Sequence, residues 1–456
     1  MDMRPIFPPG RARPHVFAAT KRDVAPFEYF TERNFARIPQ VQTLPEELRF
    51  DMRVVSSVLP FKVNSYVVNQ LIDWSDIPDD PIFQLTFPQR GMLSDEHYSR
   101  IATLLRAEAP REQLKEAADA IRLELNPHPA GQTTLNVPTL DGEVVPGLQH
   151  KYRETVLFFP AAGQTCHSYC TFCFRWAQFV GMNDLRFASK EATQLAEYIR
   201  RHQEVTNVLF TGGDPMVMKT HKLAEYVEPL LDPSLPQLQT IRFGTKSVAY
   251  WPQRFVTDAD ADDMLRLFER IIASGRSVAV MAHYNHHREL DTPIAREAVR
   301  RIRDTGAIIR SQSPVLAHIN DSASVWELMW REQVRLGIVP YYMFVERDTG
   351  AEQYFKIPLV RAYKIFREAY RHVNGLARTV RGPSMSATPG KVEVTGITEI
   401  NGEKVMVLRF LQGRNPEWVG KPFFARYDEH ASWLTQLRPA LGQERFFFES
   451  PRSSAA

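Results

Sequence analysis

At 456 residues the chain is long enough for two or three domains, or for one elaborated barrel. Its 56 basic and 53 acidic residues nearly balance, at a net charge of +3, which argues against nucleic acid as the main partner and favours a small-molecule substrate. Because the sequence has no apolar run of about 18 residues and begins without the apolar core of a secretory signal, we expect a cytoplasmic protein that does not bind membranes.

The chain begins with a segment rich in proline and arginine. Residues 1–43 show no sustained period, so we expect an extended arm that either lies on a partner surface or is disordered. Residues 44–145 include LSDEHYSRIATLLRAEAPREQLKEAADAIRLEL, whose apolar residues recur every three or four positions and predict a small helical domain. The Pro- and Gly-rich segment NPHPAGQTTLNVPTLDGEVVPG is typical of a linker.

Residues 146–348 alternate between two patterns. The strand-like runs are TVLFFP, NVLFTGG, TIRFGT, SVAVMAHY, AIIRSQS and YYMFVE, and helical runs such as KEATQLAEYIRRHQ and TPIAREAVRRIRDTG separate them. This alternation predicts an α/β fold, a partial (βα)6 TIM-like barrel on a parallel sheet. Residues 349–456 predict a C-terminal α+β extension, with the helix IPLVRAYKIFREAYRHV, a hairpin turning at Asn401 and Gly402, and a short helix near residues 431–437.

All three cysteines of the chain fall within eight positions. Cys166, Cys170 and Cys173 are spaced C-x3-C-x2-C in the loop after the first predicted barrel strand, where barrel enzymes place their chemistry. An odd, clustered set cannot form a disulfide framework, and packed structural cysteines would be scattered. Three thiolates suit a [4Fe–4S] cluster with one iron left open. Zinc is the alternative, with His167 as a fourth ligand.

A glycine pair ends the second predicted strand, in the sequence Thr211-Gly212-Gly213-Asp214-Pro215. Taken alone, such a stretch is more often a turn than a binding site. Its position one βα unit after the cysteines favours a role in holding a cofactor.

The cysteine spacing, with an aromatic residue before the last cysteine, resembles the radical S-adenosylmethionine (SAM) superfamily. The resemblance implies that the amino and carboxylate groups of SAM bind the open iron. One electron from an external donor of the flavodoxin or ferredoxin type then cleaves SAM to a 5'-deoxyadenosyl radical. It also implies that Gly212, Gly213 and Asp214 contact the methionine end of SAM.

Further stretches, in the same order along the chain, resemble the lysine 2,3-aminomutase family over residues 44–394: VPGLQHKY, IRFGTKSVAYWPQRF, AHYNHHREL, SQSPVLAHIND and PYYMFVERDTGAEQYFKIPL. The resemblance implies that His283 and Gln312 lie around SAM and that Arg175 binds the substrate α-carboxylate. It implies that Lys391, in SATPGKVEV, forms a Schiff base with pyridoxal 5'-phosphate (PLP). The amino group would move from C2 to C3 and give a β-amino acid.

The sequence departs from this family where the far end of the substrate would lie. Two aspartates that face the distal ammonium of lysine are replaced by Arg347 and Ser384, so we expect a substrate other than free lysine. Arg347 would suit an anionic side chain, although a shift of one residue would present Asp348 instead.

A second departure concerns the PLP phosphate. In place of paired arginines before the first barrel strand, this chain has Lys151 and Thr155, with Arg153 nearby.

Two other functions remain compatible with the sequence. A radical SAM enzyme without PLP would abstract hydrogen from, epimerise or rearrange an amino-acid-derived substrate. A protein of another class would be an iron–sulfur scaffold or an electron carrier. The N-terminal arm and the resemblance are compatible with a homo-oligomer.

Overall fold

The computed structural model describes residues 27–449. Its strands are β1 Tyr29–Thr31, β2 Lys62–Asn64, β3 Thr139–Leu140, β4 Glu143–Val144, β5 Leu148–Tyr152, β6 Thr155–Phe158, β7 Asn207–Phe210, β8 Thr240–Thr245, β9 Ser277–His283, β10 Ile308–Val315, β11 Val339–Val345, β12 Arg381–Ser386, β13 Gly390–Ile400, β14 Glu403–Gly413 and β15 Pro422–Arg426. Its α-helices are α1 Pro39–Gln42, α2 Glu46–Ser56, α3 Pro81–Thr86, α4 Asp95–Arg106, α5 Arg111–Glu124, α6 Ala192–Arg201, α7 Thr220–Val227, α8 Ser247–Tyr250, α9 Ala261–Ala273, α10 Pro293–Asp304, α11 Ala323–Arg335, α12 Glu352–Phe355 and α13 Leu359–Arg371. None of the helices within these residues is long and apolar enough to cross a membrane.

One large sheet contains every strand from β5 to β15, each beside its neighbour in sequence. The six predicted barrel strands, β6 to β11, are all parallel to one another, which confirms an α/β fold with a large parallel sheet. β5 flanks them antiparallel to β6. The closure of this sheet into a partial barrel stays a prediction.

A strand that the sequence pattern did not reveal, β12, extends the parallel part of the sheet beside β11. Its sequence RGPSMS contains a Gly-Pro pair, which normally indicates a turn. The strand then leads into the antiparallel strands β13 to β15. The predicted hairpin is confirmed, because Asn401 and Gly402 both have positive φ angles, 50° and 79°, and connect β13 to β14.

The helices between the parallel strands are amphipathic and cover the sheet. In α10, Ala295, Ala298, Val299 and Ile302 are buried, at the three- and four-residue spacing of one helix face. The hydroxyl of Thr292 caps this helix by accepting a hydrogen bond from the backbone N–H of Ala295, at 3.2 Å. The same pattern of buried positions recurs in α9 and α11.

The described part of the predicted arm differs from the expectation. Residues 29–42 form β1, a 3-10 turn and α1, with Phe35, Ile38 and Val41 buried in the main hydrophobic core. β1 pairs with β2, so this part of the arm is folded onto the chain's own core because its apolar residues are covered there. Residues 1–26, and the end of the chain beyond residue 449, lie outside the described residues.

The main core runs from Phe30 to Val380 without a break at the expected boundary near residue 145, so the N-terminal helices pack directly on the parallel sheet. A second, smaller core lies under the C-terminal strands and includes Val392, Leu408 and Trp418. The helix predicted over residues 357–373 is confirmed as α13, Leu359–Arg371. The helix predicted near residues 431–437 is only a 3-10 turn, Leu434–Gln436.

Candidate active site

The cysteine loop follows β6 and is held in place by segments distant in sequence. The backbone N–H of Tyr169 donates to the carbonyl of Lys62, at 2.8 Å, and that of Thr171 donates to the carbonyl of Leu85, at 3.0 Å. At the other end of the loop, the indole N–H of Trp176 donates to the hydroxyl of Thr349, at 2.9 Å. The N-terminal region and the segment after β11 therefore fix the loop from two sides.

The three cysteines are half-buried, and their surroundings disfavour the charged form of the thiols. Desolvation raises the pKa of Cys170 to about 12 and that of Cys173 to about 11, and it raises the pKa of Cys166 well above its usual value. Cys166 also feels the charges of both other cysteines and of Asp214, with Lys62 as the opposing cation. Thiolates at this site therefore need a metal centre to stabilise them.

The spacing of the thiols fits a cluster better than a single ion. A tetrahedral zinc ion with sulfur ligands at 2.3 Å would hold these atoms roughly 3.8 Å apart. Within residues 27–449, neither the three sulfurs nor a set that includes His167 places three ligand atoms within 4.8 Å of one another. The donor set, three clustered cysteine sulfurs at wider spacing, suits the predicted [4Fe–4S] cluster.

The glycine pair packs against the residues that lead into the first cysteine. A Cβ on Gly213 would lie 2.4 Å from the backbone N and O of Thr165, and one on Gly212 would meet the side chain of Gln164 at 2.2 Å. Gly212 also has a φ of +129°, a conformation that L side chains rarely adopt. Close backbone packing therefore already requires both glycines, and contact with SAM stays a prediction.

Asp214 is held in place by several hydrogen bonds within the protein. Both oxygens of its buried carboxylate accept hydrogen bonds from the protein: from the hydroxyls of Thr245 and Ser247, and from the backbone N–H groups of Met216, Lys246 and Ser247. With its acceptors used in this way, Asp214 ties the glycine turn to the end of β8. It therefore positions the turn, and its contact with SAM stays a prediction.

His283 and Gln312 lie side by side, as directly opposed residues of β9 and β10. The His283 ring stacks on Phe172, next to the last cysteine, with ring centres 6.0 Å apart. Burial lowers the pKa of His283 to about 3, and its Nδ1 is buried without a hydrogen-bond partner. A neutral imidazole with an open acceptor beside the cysteine loop fits the predicted role near SAM.

Lys391 lies on β13, opposite Ser386 of β12. Its Nζ lies 4.0 Å from the centre of the Tyr342 ring and 5.4 Å from that of Phe344. Burial, followed by the charges of three nearby basic side chains, lowers the pKa of Lys391 to about 7. A desolvated amine of this kind is what imine formation with a carbonyl requires, so the residue fits its predicted role toward PLP.

The basic side chains near Lys391 come from three different strands: Arg242 of β8, Arg381 of β12 and Lys151 of β5. The Nε of Arg242 is buried without a hydrogen-bond partner. Sequence reasoning singled out Lys151 but missed both arginines, although an arginine inside the apolar strand TIRFGT was a usable signal.

Lys151 and Arg414 meet at the turn that leads into Lys391. Lys151 donates to the carbonyl of Ala387, and Arg414 Nε donates to the next carbonyl, that of Thr388, at 2.8 Å. Burial and then the charge of Arg414 lower the pKa of Lys151 to about 7. The other residues considered for the phosphate lie elsewhere: Arg153 is exposed, and Thr155 is buried beside Asn207.

Arg175 and Arg347 share one aromatic neighbour. The guanidinium carbon of each lies 4.9 Å from the centre of the Phe174 ring. Burial and then the charge of Arg347 lower the pKa of Arg175 to about 9. Burial also lowers the pKa of Arg347, whose charge in turn acts on Lys151. Charge coupling therefore runs from the cysteine loop through Arg347 and Lys151 to Lys391.

The other two residues considered for the distal end of the substrate differ in character. Ser384 is fully buried, and its hydroxyl makes one long hydrogen bond, 3.5 Å, to the carbonyl of Met343. The carboxyl of Asp348 is partly buried, which raises its pKa, and its Oδ1 has no hydrogen-bond partner. Arg347 is therefore the residue of this group that carries a positive charge into the interior.

Within residues 27–449, none of the basic side chains of this interior forms an ion pair with a carboxylate: Lys151, Arg175, Arg242, Arg310, Arg347, Arg381, Lys391 and Arg414. Elsewhere in the described chain, arginines commonly pair with aspartate or glutamate. The neighbouring carboxyls of Asp348 and Glu346 act on Arg347 through their charge without forming an ion pair. An interior rich in cations that form no ion pair is suited to hold anionic groups.

Comparison with known proteins shows clear sequence similarity to curated enzymes. It is 31% identical over 395 residues to a protein named putative L-lysine 2,3-aminomutase from Aquifex aeolicus, which covers 86% of this chain and 92% of that protein. The chain belongs to the lysine 2,3-aminomutase family. The L-lysine 2,3-aminomutase of Haemophilus influenzae is 30% identical over 249 residues, or 53% of this chain and 69% of that protein. The resemblance inferred from the motifs is therefore confirmed.

Comparisons with family profiles and with solved structures give less information about this chain. No protein-family profile matches the chain. Among solved structures, a radical SAM methyltransferase from Sphaerobacter thermophilus aligns with a TM-score of 0.33 and 13% identity, over 62% of this chain and 92% of that one. SuiB of Streptococcus suis, bound to SAM, aligns with a TM-score of 0.34 and 11% identity, over 60% of this chain and 56% of that one. At these TM-scores neither alignment bears on the details of the site.

As a member of the lysine 2,3-aminomutase family, the protein is a radical SAM isomerase, and membership implies a [4Fe–4S] cluster and SAM. The cysteine loop and the open acceptor of His283 fit these two groups.

Proposed function

We propose that this aminomutase-family protein uses PLP together with SAM to move the amino group of an α-amino acid with an anionic side chain from C2 to C3. The observation that carries the proposal is the basic interior around Lys391, Arg175 and Arg347, which forms no ion pair with a carboxylate in the described chain. Three anionic groups would find partners there: the PLP phosphate, the substrate α-carboxylate and the anionic side chain.

The lysine and its neighbours support PLP binding. Lys391 supplies the neutral amine, and Tyr342 provides an aromatic surface 4.0 Å from its Nζ. Lys151 and Arg414, at the turn before Lys391, would hold the phosphate. When bound, PLP supplies an electron-delocalising ring on which the migrating nitrogen is carried.

The arginine pair supports an anionic substrate. Because both guanidinium carbons lie 4.9 Å from the same ring centre, they are no further apart than twice that distance. A short dicarboxylic amino acid, whose two carboxylates are only a few bonds apart, would fit between them. Arg175 would bind the α-carboxylate and Arg347 the side-chain carboxylate. The ammonium of free lysine would meet a positive charge at Arg347 and would be disfavoured.

The cysteine loop would supply the radical. Cys166, Cys170 and Cys173 would hold the cluster. His283 at the end of β9 and Gln312 within β10 would line the SAM site. The reducing electron would come from an external flavodoxin- or ferredoxin-type donor. The aromatic residues around the loop, Phe172 and Trp176, are buried and would exclude water from the radical.

The decisive experiment is an anaerobic incubation of cluster-loaded protein with SAM, PLP, a reductant and a pool of the proteinogenic amino acids. We expect 3-aminopentanedioate, the β-amino isomer of glutamate, detected by chromatography against an L-glutamate standard at unchanged mass. Aspartate cannot report the reaction in this way, because moving its amino group from C2 to C3 gives aspartate again. A β-amino isomer of lysine in its place would overturn the assignment of Arg347.

Two accompanying measurements separate the proposed reaction from other readings. Formation of 5'-deoxyadenosine without any absorption band of lysine-bound PLP would point to radical chemistry without PLP. If no 5'-deoxyadenosine forms at all, the enzymatic proposal fails and an electron-transfer role is favoured.

A further inference from the structure

A second cluster of potential metal ligands lies away from the cysteine loop. His150 of β5, His202 at the C-terminal end of α6 and Glu204 in the following turn each place one ligand atom within 4.8 Å of the others. Within residues 27–449, no other set of three histidine, cysteine, aspartate or glutamate side chains meets this distance. All three residues are only partly buried, so an ion could reach them from solvent.

The hydrogen bonds of His150 fix its tautomer, so that Nδ1 is the nitrogen with a lone pair, and this lone pair accepts a hydrogen bond from the hydroxyl of Tyr198 at 2.7 Å. Nε2 lies 3.0 Å from the carbonyl of Arg153, which can only accept a hydrogen bond, so the Nε2–H must donate. In the neutral ring Nδ1 then carries the lone pair. An imidazole whose other N–H donates to a backbone carbonyl is the usual arrangement of metal-binding histidines. Burial also lowers the pKa of His150, which favours the neutral form.

The other two side chains lie near the spacing that suits one ion. Nδ1 of His202 lies 2.9 Å from Oε1 of Glu204. A tetrahedral zinc ion at about 2.1 Å from both atoms would separate them by about 3.4 Å, so the two side chains would move apart by roughly half an ångström to bind it. The ion would replace the proton that these two atoms share, and this proton would be released to solvent.

A tyrosine completes the surroundings of the cluster. The hydroxyl of Tyr198 lies 2.7 Å from Nδ1 of His150, and its ring stacks on His202 with centres 4.1 Å apart. An ion bound at Nδ1 would replace the proton that this hydroxyl donates to His150. Nitrogen and oxygen donors of this kind are typical of zinc.

The position of the cluster separates it from the candidate active site. Glu204 precedes the amino end of β7, whereas the cysteine loop follows the carboxyl end of the adjacent parallel strand β6. Barrel enzymes place chemistry at the carboxyl ends of their strands, and the opposite ends contribute to stability. An ion here would connect β5 to the turn between α6 and β7.

We propose that His150, His202 and Glu204 form a structural zinc site that fastens β5 to the α6–β7 turn, independently of the cluster and of the proposed reaction. The site would hold one Zn²⁺ per chain.

The test uses the cluster-loaded protein, so that the cysteines are already occupied by iron. The protein is incubated with zinc sulfate and desalted, and zinc and iron per chain are measured by mass spectrometry of the metals. The variants are His202→Ala and Glu204→Gln. The matched control is His97→Ala, because His97 also contacts a glutamate, Glu124 at 2.8 Å, but belongs to no set of three ligands.

We expect about one zinc per chain in the wild type and in His97→Ala, and at least a tenfold weaker retention in His202→Ala and Glu204→Gln, at unchanged iron content. Zinc should also raise the Tm of the wild type by about 2 °C or more, and a chelator should reverse this rise. If His202→Ala does not fold, zinc retention in Glu204→Gln and the Tm of the wild type with and without zinc still test the proposal. Absence of bound zinc in the wild type, or equal retention in Glu204→Gln, would overturn the proposal.

Discussion

Arg175 and Arg347 lie against the same aromatic ring, Phe174, with each guanidinium carbon 4.9 Å from its centre. Two buried cations in such proximity repel each other, and after burial this repulsion is the next cause that lowers the pKa of Arg175. A ligand with two negative charges would relieve this repulsion. Lys391, the three cysteines and the glycine turn each make a further prediction possible.

The first prediction concerns substrate binding. Arg347→Gln keeps a hydrogen-bonding side chain but removes the charge, so we expect the affinity for L-glutamate or L-aspartate to fall about 10- to 100-fold, the effect of one charge-assisted hydrogen bond. PLP binding should be retained. Binding is measured by equilibrium dialysis with radiolabelled amino acids on cluster-loaded protein with SAM and PLP.

The control for this variant is Arg361→Gln, a surface residue whose ion pair with Asp321 lies far along the chain from the cysteine loop. It should leave the affinity unchanged. Unaltered dicarboxylate binding in Arg347→Gln would show that Arg347 does not contact the substrate.

The second prediction concerns Lys391 and pH. With its pKa lowered to about 7, the amine is largely neutral above pH 7, whereas a lysine with the usual value near 10.4 would still be protonated. The rate at which PLP attaches should therefore rise up to about pH 7 to 8 and then level off. The measurement follows the absorption band of lysine-bound PLP by stopped flow at a series of pH values.

Lys391→Ala should abolish this band, and the exposed Lys421→Ala should retain it with the same pH profile. A rate that keeps rising to pH 10 would contradict the buried, desolvated amine.

The third prediction concerns the cysteines without their cluster. Since burial raises the pKa of Cys170 to about 12 and that of Cys173 to about 11, the thiols should be protonated at neutral pH and react slowly with iodoacetamide. The chain has no other cysteine, so the mass of the intact protein reports labelling at these positions alone. Reaction should be at least tenfold slower at pH 7.5 than for the urea-unfolded chain. Equal rates would mean that the loop is open.

The fourth prediction concerns the glycine turn. In Gly213→Ala the new Cβ would collide with the backbone of Thr165 at 2.4 Å, directly before Cys166, so the loop must shift. We expect a loss of about 1–3 kcal/mol in the free energy of unfolding and a reduced iron content after cluster reconstitution. Denaturant unfolding and iron analysis provide the measurements.

Gly375→Ala is the matched control, because no atom lies within 4 Å of the position of its Cβ. It should leave both quantities unchanged. Full iron content and stability in Gly213→Ala would show that the turn can adapt without moving the cysteine loop.

Much of the fold could be predicted from local patterns in the sequence. The six parallel strands, α13 and the Asn401–Gly402 turn could be predicted because apolar periodicity and turn residues act over short distances. The strand β12 and the folded part of the arm could not, because each depends on partners far along the chain that override its local composition.

The sequence by itself identified the candidate cluster site, because all three cysteines of the chain fall within eight positions at a recognisable spacing. Only the tertiary structure decided the rest of the site. Arg414 and Lys151 are more than 250 residues apart in the sequence, yet they donate hydrogen bonds to consecutive carbonyls before Lys391. The carboxylate of Asp214 is hydrogen-bonded to residues at the end of β8. The physical reason is that burial and charge depend on neighbours in space: the pKa of Lys391 is low because strands from both halves of the sheet enclose it with cations and aromatic rings.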